Sequence, residues 1–551
     1  MNRSVGRPPA GPNGAARRRR PRRRGPSRTR AAAPSREGDV ITLPATSRGG
    51  DAAPEAPDRG GGARPTGAPG GRRGAIDFTQ GPIPANLIRL AWPLVAGNLL
   101  QTVYNLVDMF WVGRLGATQV AAVSIVFPTD WLLVSIAMGI TVAGAALVSQ
   151  WTGARQPREA DRVAAQTVSV AVLAALALAC LAHWLRLPLL RLMGAEGEVF
   201  PDALAYMTVI IWTVPFTFLF FAFRSSLRGA GDTLRPMYLS VFSNVLNVVL
   251  DPILIFGWGP VPALGVAGAA WATLIARALA GLVGLGYLLS GQLAIRVRPG
   301  DLVPRWPIAR ELLRLGLPAS LDGAARSFSA VAMVAIVARL GPVATAAYGI
   351  VNRVMSMVWT TSAAVGQAVA TGVGQNLGAG RLGRSRRVAW TGVALDLLLL
   401  GAGGLASVAL APVIMQVFVN DADVVAQGTA FLRVVGWSFG FAGGVQVVQG
   451  AFQGAGRTGV SMALAVLNHW VLRFPVAIGL IWGLGWGPAG LWWAMFISST
   501  GGFAAAVLWL WRGGWQHAVI APASPSPAPG SPPGAARPPM PQTGSHGSQD
   551  P

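Results

Sequence analysis

The chain contains no lysine, a single cysteine and few charged residues for its length. Only 12% of its 551 residues are charged, whereas a soluble domain carries about 25%. The lone cysteine, Cys180, excludes an internal disulfide and a thiolate metal cluster. The four histidines show no metal-ligand spacing. These shortages argue against a disulfide-stabilised protein, a metal protein and an ordinary soluble domain.

Positive charge is concentrated near the N-terminus. Residues 1–80 hold 17 arginines and six acidic residues, a net charge of +11. Composition predicts a disordered, arginine-rich cytoplasmic tail over residues 1–84 and a second disordered tail, rich in Pro, Ser and Gly, over residues 513–551. Attraction of the arginines to anionic lipid is the economical interpretation, and a solvated tail without a specific partner is the alternative. We expect no nucleic-acid partner.

Apolar runs of membrane-spanning length recur between the two tails. A stretch of about 20 apolar residues crosses the hydrocarbon core as a helix. Breaks of Gly, Pro and Arg divide this region into twelve predicted helices. The predicted ranges are 86–112, 118–148, 163–185, 199–224, 236–257, 265–290, 311–338, 344–372, 388–411, 424–450, 459–482 and 488–511. The sequence therefore predicts an all-α polytopic membrane protein.

The arginines of the loops and helix ends predict the orientation of the chain. When the loops are numbered alternately from an inside N-terminus, seventeen such arginines fall on the inside and four on the outside. Because cytoplasmic loops carry the excess of positive residues, both termini are predicted to be cytoplasmic. We expect a multi-pass protein of the inner (plasma) membrane.

The sequence repeats itself at a constant offset. Arg89, Leu90 and Pro93 recur as Arg314, Leu315 and Pro318, and residues 229–231 recur at the same offset as residues 454–456. Each half contains six predicted helices, so both halves insert the same way up and a pseudo-twofold axis runs along the membrane normal. We predict an N-lobe over residues 85–292, a cytoplasmic linker over 293–310 and a C-lobe over 311–512. Two lobes around a cleft are typical of transport by alternating access.

Polar residues form a stripe along the first predicted helix. Asn98, Gln101, Asn105 and Asp108 follow one another at spacings of 3, 4 and 3, which places them within roughly 80° of arc on one helix face. A carboxylate in so apolar a helix is costly and is a functional-site candidate. The alternative for Asp108 is a purely structural hydrogen-bonded pair.

The fifth predicted helix carries a similar stripe. It consists of Ser240, Ser243, Asn244, Asn247 and Asp251. Oxygen-rich clusters of this kind suit a proton or a hard cation such as Na⁺. The alternative for Asp251 is to cap backbone groups that the following proline leaves free.

The second half lacks both stripes. At the repeat-equivalent positions, Asp108, Asn105, Asn247 and Asp251 are replaced by Met333, Ala330, Leu472 and Val476. A requirement of the fold would be expected in both halves, so the difference indicates function.

Further acids lie in predicted helices, among them Asp130, Asp322 and Asp396. Asp322 has Arg326 four residues later, which predicts a neutralised pair, and this arginine is a candidate for the lining of the cleft. Asp130 and Asp396 have no evident partner in the sequence, and no role follows for either.

Several segments together resemble the multidrug and toxic compound extrusion (MATE) family. They are Pro93 followed by residues 105–116 (NLVDMFWVGRLG), Gly153-Ala154, residues 228–233 (RGAGDT) and residues 247–257 (NVVLDPILIFG). The resemblance covers about residues 85–512. It implies a twelve-helix, two-lobed secondary transporter that exports organic cations or other amphipathic compounds in exchange for H⁺ or Na⁺.

The resemblance also implies roles for individual residues. Asp108, Asn247 and Asp251 match the family's ion-coupling positions and could hold Na⁺. Tyr206 and Thr273 are similar to residues near that site, and Pro93 matches a helix-bending proline. Asn98, Gln101, Asn105, Ser240 and Asn244 are expected to line the polar cavity. We expect a monomer that needs no cofactor besides its coupling ion. The alternatives are a lipid-linked saccharide flippase of the same superfamily and a membrane-embedded enzyme, for which no catalytic constellation is visible.

Overall fold

A computed structural model describes residues 75–520. Within them, twelve long helices and one short helix account for most of the chain, and an isolated β-bridge joins Trp258 and Val261. Most of both predicted tails lies outside the described residues.

The helices of the first half match the six predicted ones and are mostly a few residues longer. They are α1 (Ile83–Gly113), α2 (Ala117–Gly153), α3 (Pro157–Leu192), α4 (Val199–Gly229), α5 (Leu234–Phe256) and α6 (Val266–Ser290).

The second half adds seven helices. They are α7 (Trp306–Ala338), α8 (Pro342–Gly378), α9 (Leu382–Ala409), the short α10 (Ala411–Phe418), α11 (Ala422–Gly454), α12 (Thr458–Gly483) and α13 (Pro488–Trp511). A 3₁₀ turn at Gly436–Ser438 interrupts α11, and π-helical turns at Leu467–Arg473 and Gly479–Gly483 interrupt α12. The predicted twelve-helix, all-α fold is confirmed.

Eleven of the long helices are apolar enough to cross a membrane. The exception, α8, is 37 residues long but carries Arg353, Gln367, Gln375 and Asn376. Large apolar side chains are exposed along the bundle, among them Leu176, Leu279, Leu398 and Val471. An apolar surface of this extent fits lipid and would be a liability in water.

The repeat is visible in the backbone as well as in the sequence. Gly231 and Gly456, which the repeat makes equivalent, follow α4 and α11 and both have positive φ, 90° and 73°. An L side chain rarely adopts this conformation, whereas glycine does so without steric cost. The turn after each of these helices therefore requires glycine in both halves.

The two halves exchange helices at one end of the bundle. We call this the lower end; the chain segments before α1 and after α13 lie here, and the opposite end is the upper end. Leu87 and Leu90 of α1 pack in an apolar cluster with α8, α9 and α11. Leu312 and Leu315 of α7, their repeat equivalents, pack in another cluster with α2, α3 and α4. Towards the upper end, by contrast, two separate clusters form, each within one half.

Close backbone contact seals the lower end. A Cβ on Gly153 would lie 1.8 Å from the carbonyl oxygen of Gln375, and a Cβ on Gly378 would lie 1.8 Å from that of Gln150. The ends of α2 and α8 therefore touch only because both residues are glycine.

Two glutamines reinforce this contact in a symmetric way, and we call them the glutamine clasp. Gln150 Nε2 donates to the carbonyl oxygen of Gly454 (3.0 Å), and Gln375 Nε2 donates to that of Gly229 (3.3 Å). The clasp also holds the terminal segments, because Val519 N donates to Gln150 Oε1 and Phe78 N donates to Gln375 Oε1, both at 2.9 Å.

Candidate functional site

The predicted coupling residues meet in the N-lobe, where α1, α5 and α6 adjoin. With its amide oriented so that both ends are satisfied, Asn247 donates to Asp251 Oδ2 and accepts from Thr273 N, both at 3.0 Å. The hydroxyls of Tyr104 and Thr273 lie 3.3 Å apart. Thr273 therefore connects the polar face of α1 to that of α5.

Asp108 and Asp251 lie close enough for their charges to interact, and Tyr206 interacts electrostatically with both. Asp251 is fully buried and Asp108 is half-buried. The Oδ1 atom of each is enclosed without a hydrogen-bond partner in the described chain. We refer to Asp108, Asn247, Asp251, Tyr206 and Thr273 as the acidic cluster.

The chemistry of this cluster suits a small cation. Two carboxyl groups in a region of low dielectric cannot both stay ionised without compensation. A proton on either unpaired oxygen, or a Na⁺ ion between carboxylate and amide oxygens, would supply it. The residues proposed for Na⁺ therefore fit that ion, and they equally fit H⁺.

A further polar connection lies beside the cluster, and two residues of this region, Arg277 and Tyr104, were not identified as site residues from the sequence. Arg277 of α6 donates to Gln101 Oε1 (3.2 Å), and Gln101 in turn donates to Asn105 Oδ1 (3.2 Å). Arg277 also interacts electrostatically with Tyr104 and Asp130. It therefore places a positive charge beside Tyr104 and Asp130.

The spacing of Arg277 and Tyr104 in the sequence could have identified both residues. Arg277 follows Thr273 by one helical turn, and Tyr104 lies three residues after Gln101 and four before Asp108. Both spacings put the residue on the face already marked by a site residue.

The remaining stripe residues take different positions. Asn98 points towards the other half, with its Nδ2 atom 3.5 Å from the carbonyl oxygen of Thr360. Ser240 and Asn244 are buried, and the Ser240 hydroxyl donates to the carbonyl oxygen of Pro236 in its own helix. On α5 the stripe thus faces packed protein more than open space.

Pro93 lies buried inside α1, which continues through it from Ile83 to Gly113. Three residues earlier, the carbonyl oxygen of Leu90 accepts a hydrogen bond from the Thr233 hydroxyl (3.1 Å). The carbonyl that loses its helical donor at Pro93 is that of Arg89, so this bond lies one residue beyond it and ties α1 to the turn before α5.

A cavity of about 290 Å³ lies between the halves, lined mainly by α2, α7, α8 and α11. Arg326 borders it and forms a two-pronged ion pair with Asp322, with Nε–Oδ1 2.9 Å and Nη2–Oδ2 2.7 Å. This is the pair that their spacing predicts. Asp396 lies elsewhere in the C-lobe, fully buried beside Ser362 and Gly443.

Comparison with known proteins identifies the family. The MatE family model matches residues 93–253 and 318–478, together more than half of the chain. The second match starts at Pro318, the repeat equivalent of Pro93, where the first match starts.

Curated relatives and solved structures agree with this match. The probable multidrug resistance protein YoeA of Bacillus subtilis (strain 168) is 32% identical over 395 residues, which cover 70% of this chain and 85% of that protein. The probable multidrug resistance protein NorM of Thermotoga maritima is 25% identical over 441 residues, covering 80% and 94%.

A solved outward-facing structure of a multidrug resistance MATE family transporter has a TM-score of 0.75 at 24% identity and covers 80% of this chain and 98% of that one. Its likeness supports the fold. The chain therefore belongs to the multidrug and toxic compound extrusion family of multi-pass membrane transporters.

Proposed function

We propose that the protein is a secondary active antiporter that exports organic cations or other amphipathic compounds in exchange for H⁺ or Na⁺. Family membership and the names of the relatives support multidrug efflux. One observation supports ion coupling above all: Asp108 and Asp251 lie together in the N-lobe, each with an enclosed oxygen that has no partner in the described chain.

The acidic cluster couples to transport if its occupancy changes the balance between two states of the bundle. Uptake of H⁺ or Na⁺ neutralises a carboxylate and relieves the repulsion between Asp108 and Asp251. Coupling then requires only that the ion and the exported compound favour opposite states, because a ligand shifts an equilibrium by its differential affinity.

The architecture supports a direction for the exchange. The lower end is sealed by the contact of α2 with α8, whereas the two halves form separate clusters towards the upper end. The arginine bias of the sequence favours a cytoplasmic lower end in the inner (plasma) membrane. An ion entering from outside would then reach the acidic cluster without passing the sealed lower end.

The proposal needs no cofactor besides the coupling ion and operates within a monomer. A lipid-linked saccharide flippase remains the alternative, and additional membrane helices would favour it. A membrane-embedded enzyme is a weaker alternative, since the proteins of this family are transporters.

Replacement of Asp108 tests the proposal. In proteoliposomes, Asp108→Asn should abolish ethidium efflux driven by an imposed H⁺ or Na⁺ gradient, because the amide cannot exchange a proton and weakens a cation site. The comparison of the two gradients for the unmodified protein identifies the coupling ion.

Asp423→Asn is the matched control, because Asp423 is exposed and lies outside the acidic cluster. Both variants should elute as folded protein at the volume of the unmodified protein. Undiminished gradient-driven efflux by Asp108→Asn would remove this residue from the mechanism.

A further inference from the structure

The central cavity between the halves is bordered by two arginines. Arg228 from the end of α4 and Arg326 from α7 both line it, together with Gln367, Gln446 and Gln453. Its one acidic lining residue is Asp322. The sign of its charge therefore depends on how these groups are paired.

Both carboxylate oxygens of Asp322 already accept hydrogen bonds from the protein. Its Oδ1 accepts from Arg326 Nε, and its Oδ2 accepts from Arg326 Nη2 and from the Ser461 hydroxyl (3.1 Å). The carboxylate therefore neutralises Arg326 and has little capacity left to attract a cationic ligand.

Arg228 has no such partner. Its Nη1 donates to the neutral Gln367 Oε1, and no carboxylate of the described chain lies within ion-pair distance. Arg224, one turn earlier in α4, adds positive charge nearby. A half-buried guanidinium without a counter-charge is costly in a membrane protein, and an anionic ligand would offset that cost.

Gln367 and Gln446 add hydrogen-bond donors to the lining of the cavity. Gln367 Oε1 accepts from Arg228, and Gln446 Oε1 accepts from Arg326. Since the arginines occupy the oxygen ends, the Nε2 groups of both glutamines are left to donate to a ligand. Donors from both halves therefore converge on one space.

From this arrangement we infer that the central cavity binds an anionic group, a carboxylate or a phosphate, carried by an amphipathic aromatic compound. Arg228 and the two glutamine amides hold the anion, and Trp131 and Met138, which also line the cavity, contact the apolar part. The inference rests on the proposed transport function and narrows its substrates, within the amphipathic compounds proposed, to those that carry an anionic group.

The repeat indicates which substitution the fold tolerates. The position equivalent to Arg228 in the second half is Gln453, and the position equivalent to Arg326 in the first half is Gln101. Glutamine is thus compatible with the backbone at both repeat positions. Arg228→Gln removes the unpaired charge while keeping a polar side chain of similar reach.

Equilibrium binding to the purified full-length protein in detergent tests the inference. Rhodamine B and its ethyl ester share one ring system and differ in a free carboxylate, and riboflavin and riboflavin 5′-phosphate differ in a phosphate. Fluorescence anisotropy should show tighter binding, by about tenfold, of the member that carries the free carboxylate or phosphate in at least one pair, as expected for a hydrogen-bonded charge. We call this member of each pair the anionic member for the group it carries, although rhodamine B as a whole is a zwitterion. The two pairs distinguish a carboxylate ligand from a phosphate ligand.

Arg228→Gln should weaken binding of the preferred anionic dye by about tenfold and leave its uncharged or esterified partner within about twofold. Arg310→Gln is the matched control, since it removes the same charge from an exposed position that does not line the cavity.

Equal or weaker binding of the anionic member in both pairs would overturn the inference, as would equal losses in the two variants. The binding assay uses no ion gradient, so a protein that does not transport can still show a preference for anions. Failure of the proposed transport function and failure of this inference therefore give different results.

Discussion

Asn247 joins the carboxylate of α5 to the backbone of α6. In its satisfied orientation it donates to Asp251 and accepts from Thr273 N. The repeat places Leu472 at the equivalent position of α12. An apolar residue therefore suits this position of the fold, and the asparagine serves the acidic cluster.

Replacement of Asn247 by the residue at its repeat position tests this role. Asn247→Leu should give a folded protein whose gradient-driven ethidium efflux is lower by at least about tenfold, because coupling free energies of about 1–3 kcal/mol correspond to such factors. Initial efflux rates in proteoliposomes measure the effect. Val245→Ala, on the exposed face of the same helix, is the control. Efflux by Asn247→Leu within error of that control would show that the amide has no part in coupling.

Helical spacing predicts which residues share one face of a helix, and it does not predict contacts between helices. The spacing of 3 and 4 residues marks Asp108, Asn247 and Asp251 as members of polar faces. It cannot show that Arg277 reaches Gln101 from another helix, or that Arg228 of the first half meets Gln367 of the second. Such pairs depend on how helices pack, which periodicity does not contain.

At the scale of helices, the contact of α2 with α8 depends on two glycines. Gly153 and Gly378 each let the facing carbonyl oxygen approach to a distance that no Cβ tolerates. Because the obstacle is backbone on both sides, a rotamer change cannot relieve it. The seal at the lower end is therefore sensitive to one methyl group.

Gly378→Ala should destabilise the protein by about 1–3 kcal/mol, the usual cost of overpacking. A lower thermal unfolding midpoint in detergent is the expected result. Gly383→Ala, in the first turn of α9 with open space around the new methyl group, should leave the midpoint unchanged or raise it slightly. If the two variants unfold at the same temperature, the close contact does not exist in solution.

Each long helix was predicted, because apolar length is a strong signal, but single helix ends differ by up to seven residues, as at the C-terminal end of α3. The short helix α10 and the π-helical turns of α12 were not predicted. An eight-residue helix is too short to show a membrane-length run, and a π turn changes the hydrogen-bond register without changing composition.

At the scale of the whole molecule, the arginine bias predicts cytoplasmic termini. A green fluorescent protein fused after residue 551 should fluoresce in cells, whereas alkaline phosphatase at that position should be inactive, because the phosphatase needs export to fold. Phosphatase inserted in the loop between α5 and α6 should be active, since that loop lies at the upper end. The opposite pattern would invert the orientation.

The fold class and the two-lobed repeat were predictable from the whole sequence, because a constant offset survives in many positions. The exchange of α1 and α7 at the lower end was not predictable. Leu87 and Leu312 are ordinary apolar residues of their helices, and only packing reveals that each joins a cluster formed mainly by the other half.

The glutamine clasp consists of two equal fasteners working in parallel. If the hydrogen bond from Gln150 to Gly454 breaks while that from Gln375 to Gly229 remains, the helix ends stay too close together for water to replace the broken bond. Breaking one hydrogen bond alone therefore gains little free energy, so the two bonds should break together. The lower end should therefore switch between a closed and an open state without populating a partly open state, through which ions could leak.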